Sequence, residues 1–306
     1  MDNAKTEKGT GTPRFRELKE LDLLDDFLFQ EMISNPETGE EFCRILLRVI
    51  LGREIRKVKI TPQRVIQGHN RKEHGVRLDA YIEDISEEEL MGNERGLNAE
   101  VVQQGDIYDI EPNKVKEKKR LPRKMRYYHG LIDTKLLKTG IDYEKLPRVF
   151  IIMILPYDPF DKNRMVYTIK NQCVEDREVF YEDGAVKLFL YTKGTEGNPS
   201  QNLIDMLKYI EKSTADHIIN PDIRRVDELV REIKENEEVG VAYMKSWERE
   251  EYIRRAGIAE GLEQREIQCI LSMHEKGYAL DAIADVLEKT VEEIRSVIEE
   301  KKSVLA

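Results

Sequence analysis

Two strand-like segments of this chain carry acidic residues, and a dense run of basic residues follows the second. Val76–Glu83 alternates apolar and polar residues and includes Asp79, whereas Ile107–Glu111 ends on an acid just before Pro112. If the two strands are neighbours, their carboxylates can share a divalent cation, and such oxygen ligands suit Mg²⁺. Because a bound cation of this kind activates water against a phosphodiester, the pattern predicts a metal-dependent phosphodiesterase site.

The basic run, Lys114–Arg126, holds eight Lys and Arg residues against one Glu, a local charge of +7 in a chain of net charge -10. This contrast predicts that any nucleic-acid contact is confined to one surface. A solvated helix face is the alternative interpretation of such a run. The predicted DNA-binding residues are basic, with one aromatic side chain for base stacking: Lys118, Lys119, Arg120, Arg123, Lys124, Arg126 and Tyr127.

The elements that must position these residues are predicted from periodicity and turn signals. The pattern predicts helices at 18–32, 40–51 and 122–137, and strands at 55–60, 64–67, 76–83, 99–102, 106–111 and 149–155. We expect Pro62 to separate the first two strands. The run Val149–Leu155 is apolar on both faces, which is typical of a central strand covered on both sides. The fold class is therefore predicted to be α/β, with a mixed sheet.

Charged helices dominate the chain after residue 200. We expect a disordered lead at 1–16, a core at 17–200, a charged helical extension at 201–262 and a small helix-turn-helix-like unit at 263–306. Breaks are predicted after Gly261 and near Gly277 and Thr290. The acidic last helices suit packing or partner binding better than a phosphate surface. The helical C-terminal region is also a candidate homodimer contact.

Cysteine usage and hydropathy exclude other classes of protein. Cys43, Cys173 and Cys269 lie far apart without metal-ligand spacing, which argues against a zinc site or a disulfide framework. The longest apolar run is far shorter than the roughly 20 residues of a membrane span. We therefore expect a soluble cytoplasmic protein with no membrane partner.

Four motifs together resemble the PD-(D/E)XK nuclease family transposases, relatives of the recombination-promoting nucleases. The motifs are Val76–Tyr81, Tyr108–Asn113, Leu121–His129 and Tyr157–Phe160, and the resemblance spans roughly residues 20 to 260. It implies a restriction-endonuclease-like αβββαβ core and Mg²⁺-dependent DNA cleavage, with Mn²⁺ as a possible substitute. DNA is then the expected partner.

On this resemblance Asp79 and Glu111 bind the metal. The position two residues after Glu111 is commonly Lys or Gln in the family, but here it is Asn113, which orients water without supplying a positive charge. Lys114 is the alternative if the chain bends after Pro112. A catalytically inactive relative that binds nucleic acid or protein is the second hypothesis.

Further candidates for the site stay open. Glu100, followed two positions later by Val102, gives an alternative register with no polar third residue. Glu40 or Glu41 could add a ligand, although an exposed helix start explains both equally well. His74 and His129 are possible supporting groups, and an ordinary surface or packing role is the simpler interpretation of each.

Overall fold

The computed structural model describes residues 15–55, 57–66, 76–84, 105–137, 140 and 142–305, with the backbone alone at 63, 65, 66, 76, 77, 79, 84 and 301–305. The chain forms two compact units, residues 1–240 and 241–306. The predicted strand at 99–102, including Glu100, and the predicted supporting residue His74 lie outside the described residues.

A six-stranded mixed sheet is the centre of the first unit. Its strands are β1 (Val58–Ile66), β2 (Val76–Asp84), β3 (Ile107–Pro112), β4 (Val149–Leu155), β5 (Val166–Ile169) and β6 (Ala185–Tyr191), in the spatial order β1-β2-β3-β4-β6-β5. β1, β2 and β3 pair antiparallel, β3, β4 and β6 pair parallel, and β5 returns antiparallel to β6. The predicted α/β class with a mixed sheet is confirmed.

Five α-helices belong to the described part of the first unit: α1 (Asp26–Ser34), α2 (Gly39–Leu51), α3 (Leu121–Leu136), α4 (Gln201–Glu211) and α5 (Pro221–Glu235). α3 packs its buried Leu121 and Met125 into one core cluster with Ile151 and Met153 of β4. Ile152, on the opposite face of β4, is also fully buried. The predicted covering of this strand on both faces is therefore confirmed.

α4 and α5 join the first unit through contacts with the N-terminal helices. Leu24 N–H donates to the Ile210 carbonyl at 3.1 Å, and Arg48 pairs with Asp222 at 2.5 Å. Their inward faces are apolar, with Ile223 fully buried. These helices cannot bury that surface alone, and the first compact unit includes them, since it extends to residue 240.

β1 runs without interruption through Pro62, so the predicted separation into two strands is wrong. Pro62 pairs with Ala80 of β2, and β1 is the edge strand of the sheet. A proline lacks a backbone donor but is tolerated on an edge strand, where one side of the backbone has no ladder partner.

Three helices complete the described chain: α6 (Glu237–Glu275), α7 (Leu280–Val286) and α8 (Val291–Leu305). The second unit has its own core, in which Ile270 of α6 packs with Ile283 and Ile294. The break predicted after Gly261 is wrong, because α6 continues through it; a glycine with helical φ weakens a helix without ending it. No helix within the described ranges is long and apolar enough to cross a membrane.

The breaks near Gly277 and Thr290 are confirmed. Gly277 has a φ of 83°, in the left-handed region that favours glycine. Thr290 begins α8 with a capping box: Glu293 N–H donates to Thr290 Oγ1 at 3.2 Å, and Thr290 N–H donates to Glu293 Oε2 at 2.8 Å.

Candidate active site

Glu111 lies near the end of β3, is only 3% exposed and pairs with Lys124 of α3. Lys124 Nζ donates to Glu111 Oε2 at 2.8 Å. Burial raises the pKa of Glu111, and the Lys124 ammonium partly offsets this effect. Burial alone would lower the pKa of Lys124, but the charge and hydrogen bond of Glu111 outweigh it and raise this pKa. Each charge therefore compensates for the desolvation of the other.

The sheet register brings position 79 to Glu111. β2 and β3 pair Ala80 with Ile110 and Tyr81 with Asp109, and the pairing ends there; continued by one step, the same antiparallel register would set Asp79 opposite Glu111. Residues directly opposite in such a ladder have neighbouring Cβ atoms on the same face. The side chain of Asp79 lies outside the described atoms. Its backbone lies one residue before Ala80, the first residue of β2 that pairs with β3.

Asp109 is a second acid of β3 on the same face. It is fully buried, two residues before Glu111. Its negative charge is one of the influences on Tyr128, whose pKa is raised to about 12 by burial first and then by the charge of Glu111. This face of β3 therefore concentrates negative charge beneath α3.

Asp26, the first residue of α1, is an acid that the sequence analysis missed. Its negative charge contributes to the raised pKa of Glu111. The helix-start acids considered from sequence were Glu40 and Glu41 of α2. In the structure Glu40 is exposed, and Glu41 Oε1 accepts from Arg225 Nε of α5 at 2.8 Å. The consecutive acids Asp25 and Asp26 before an apolar periodic run were the signal in the sequence.

Asn113 and Lys114 make local contacts in this structure. Asn113 Oδ1 accepts from Val115 N–H at 2.8 Å, a turn typical of Asn after a strand. Lys114 Nζ donates to Asp25, immediately before α1. Asn113 therefore stabilises the turn after β3, and Lys114 connects that turn to the start of α1, next to Asp26.

A surface groove of about 580 Å³ opens beside the Glu111–Lys124 pair. It contains five of the seven predicted DNA-binding residues together with one acid: Lys119, Arg120, Arg123, Lys124, Tyr127 and Glu117. Of the two outside the groove, Lys118 pairs with Asp161. Arg126 is exposed on α3.

Three of the six predicted cations are available to an anion. Lys119, Arg123 and Arg126 form no ion pair with any described residue, whereas Arg120 pairs with Glu117 at 3.3 Å. Tyr127 is 41% exposed at the groove. A groove with unpaired cations and an exposed ring can contact phosphates and stack on a base. Tyr128 instead lies under Lys124, with Nζ 5.0 Å from the ring centroid.

His129 is a packing residue of α3. It is buried, and burial together with the charge of Lys187 lowers its pKa to about 4. The imidazole is therefore neutral at neutral pH.

Oxygen ligands around Glu111 determine which metal could be held there. Among side chains that the structure describes, no three His, Cys, Asp or Glu residues form a metal-binding group, and Asp79 stands outside that set. The mutual repulsion of Asp26 and Glu111 is nevertheless what a dication would relieve. Carboxylates without Cys or His ligands suit Mg²⁺ or Mn²⁺.

Comparisons with family models, curated proteins and solved structures find no match to this chain.

Proposed function

We propose that this protein is a Mg²⁺-dependent DNA endonuclease of the transposase or recombination-promoting type. The observation that supports this most is the position of Lys124, which binds the buried Glu111 and also lines the basic groove. A phosphate held in that groove therefore lies beside the acids that would bind a metal. A solvated helix face would not need a lysine that also binds a buried acid, and an isolated buried ion pair would not need to line a basic groove.

The proposed core is the restriction-endonuclease-like αβββαβ arrangement. In its support, the chain runs through helix α2, the antiparallel strands β1, β2 and β3, helix α3 and then β4 parallel to β3. This order places Asp79 and Glu111 on adjacent strands and directs α3 over their face of the sheet. β6, β5 and the helices α4 and α5 extend this arrangement.

In the proposed mechanism Asp79 and Glu111 hold the cation, with Asp26 next to them. The bound metal would lower the pKa of a water molecule and stabilise the charge that develops on the phosphate. Arg123 and Lys119 hold the DNA backbone through its phosphates. Lys124 supplies the positive charge that Asn113 cannot, since its ammonium lies against Glu111.

A plasmid-nicking assay with and without Mg²⁺ tests the proposal. We expect metal-dependent nicking by the native chain and its loss in Asp79→Asn and Glu111→Gln. Asp205→Asn is the matched control, because Asp205 is a buried acid of α4 that contacts Gln201. Equal nicking by the native chain, D79N and E111Q would exclude these residues from catalysis.

A catalytically inactive DNA-binding protein is the second candidate. The local contacts of Asn113 and Lys114 favour it, because neither residue is directed to Glu111 by the bonds described above. If the protein is catalytically inactive, it should bind duplex DNA in a mobility-shift assay without nicking it in Mg²⁺ or Mn²⁺. Nicking that is lost in E111Q, with binding retained, would contradict it.

A further inference from the structure

Five large apolar side chains form an exposed stripe along one side of α6. Val241, Met244, Tyr252, Ile258 and Leu262 are each at least 50% exposed. At 3.6 residues per turn they fall within about 120° of the helix circumference. An apolar stripe of about this width normally faces a core or another helix.

The middle of α6 has no packing of its own to stabilise it. Every residue from 255 to 265 is exposed, and the segment includes Gly257 and Gly261. Each interior glycine weakens a helix by about 1 kcal/mol relative to alanine. Isolated helices are already marginal in water, because most helical stability in proteins comes from packing. This segment is therefore expected to gain stability from a partner.

The charges along the stripe indicate what that partner is. Glu248 and Arg255 continue the seven-residue spacing of Val241 and Leu262, and Glu251 continues that of Met244 and Ile258. A parallel, in-register pair of these helices would bring each charge next to its own copy. An antiparallel pair with its two-fold axis near residue 253 instead brings Glu251 next to Arg255 of the second copy, and Met244 next to Leu262.

We propose that α6 binds a second copy of this chain as an antiparallel, two-fold symmetric helix pair over residues 241–262. Glu251 accepts hydrogen bonds from Arg254 and Arg255 of its own chain at 2.7 Å. In the pair, two Glu251 and two Arg255 form a ring of alternating charges around the axis. Val241, Met244, Ile258 and Leu262 lie on either side of it. The two-fold contact is closed, so assembly stops at two chains.

Mass measurement of the full chain by light scattering tests this interface. We expect twice the chain mass of 35.8 kDa for the native protein and 35.8 kDa for Ile258→Glu/Leu262→Glu at the same concentration. Ile253→Glu is the matched control, because Ile253 is 58% exposed on the same helix but lies outside the stripe; this variant should stay dimeric. A native mass of 35.8 kDa, or a dimeric I258E/L262E, would overturn the proposal.

Disulfide cross-linking tests the direction of the helices. In a Cys269→Ser background, which removes the exposed cysteine of α6, Met244→Cys mixed with Leu262→Cys should give a cross-linked dimer. Each variant alone should stay uncross-linked, because its two cysteines would be about 27 Å apart at 1.5 Å per residue. Cross-linking of each variant with itself would overturn the antiparallel arrangement. Circular dichroism of I258E/L262E provides a second readout, since loss of the partner should reduce its helical signal.

Discussion

The Glu111–Lys124 pair combines a structural and a proposed catalytic role, and the two are separable. We expect Lys124→Met to lower the free energy of unfolding by about 3 kcal/mol near neutral pH, because it leaves a buried carboxylate unpaired. Without the ammonium, burial raises the pKa of Glu111 further. The loss should therefore shrink at acid pH, where Glu111 is protonated, and grow as pH rises.

Urea unfolding of K124M, E111Q and the double variant measures this coupling. The double variant should recover much of the stability, because no unpaired charge stays buried. If the two single losses simply add, the pair does not stabilise the fold. The nicking assay tests the proposed catalytic role separately from stability, since K124M/E111Q should be inactive even where its stability recovers.

His129 predicts a separate acid dependence of stability. Its pKa of about 4 in the folded protein lies below the ordinary value of 6.5. Between these values the unfolded chain binds a proton that the folded chain does not, so stability falls as pH falls through this window. The loss attributable to His129 is about 2 to 4 kcal/mol.

Thermal unfolding of His129→Gln at pH 7.5 and at pH 4.5 measures this effect. The variant should lose less stability on acidification than the native chain does. His274→Gln, a half-buried histidine of α6, is the control and should follow the native curve. An unchanged acid sensitivity in H129Q would show that His129 does not bind its proton differently on unfolding.

Individual site residues differ in how far the sequence could identify them. Alternation within β2 and β3 identifies Asp79 and Glu111 as candidate ligands, because the period of two is local, whereas their approach to each other depends on which strands pair. Asp26 could not be assigned in this way. Its approach to Glu111 depends on how α1 packs against the sheet, and the sequence does not specify that tertiary contact.

At the level of elements, α3 is predicted to set the electrostatic part of DNA binding. Arg123→Ala and Lys119→Ala should each weaken binding to duplexes of any sequence and reduce the slope of log affinity against log salt by about 1. Lys135→Ala, an exposed cation of the last turn outside the groove, should leave that slope unchanged. Fluorescence anisotropy over a salt series measures both. Equal slopes for R123A and K135A would exclude the groove as the DNA surface.

Elements were predicted best where periodicity is strong and worst where glycine or proline interrupts it. β4 and α3 follow directly from an apolar run and from Pro122 in the first turn. The sequence predicts breaks at Pro62 and Gly261 because both residue types weaken regular structure on average. Each is accommodated here: Pro62 lies on an edge strand, and Gly261 keeps a helical φ. Neither the edge position of the strand at Pro62 nor the helical φ of Gly261 can be predicted from the neighbouring residues alone.

The charge of the whole molecule determines where DNA can approach. A chain of net charge -10 repels a polyanion over most of its surface, whereas the groove of α3 attracts one. In the proposed antiparallel dimer each chain contributes one such groove. Two grooves per assembly would allow two strands or two sites to be engaged together, which a monomer cannot do.

Truncation tests how the chain is divided. A chain ending after residue 240 should unfold cooperatively and stay monomeric, since it keeps α4 and α5 but lacks the stripe on α6. A chain ending after residue 200 should aggregate or lose cooperative unfolding. It lacks the buried faces of α4 and α5 and the Tyr209–Asp227 hydrogen bond between them, and it exposes the surface of α1 and α2 that they cover. Urea unfolding and light scattering distinguish these outcomes. Equal stability of the two truncated chains would mean that the core ends at residue 200, as the sequence analysis predicted, and that α4 and α5 are an extension of it.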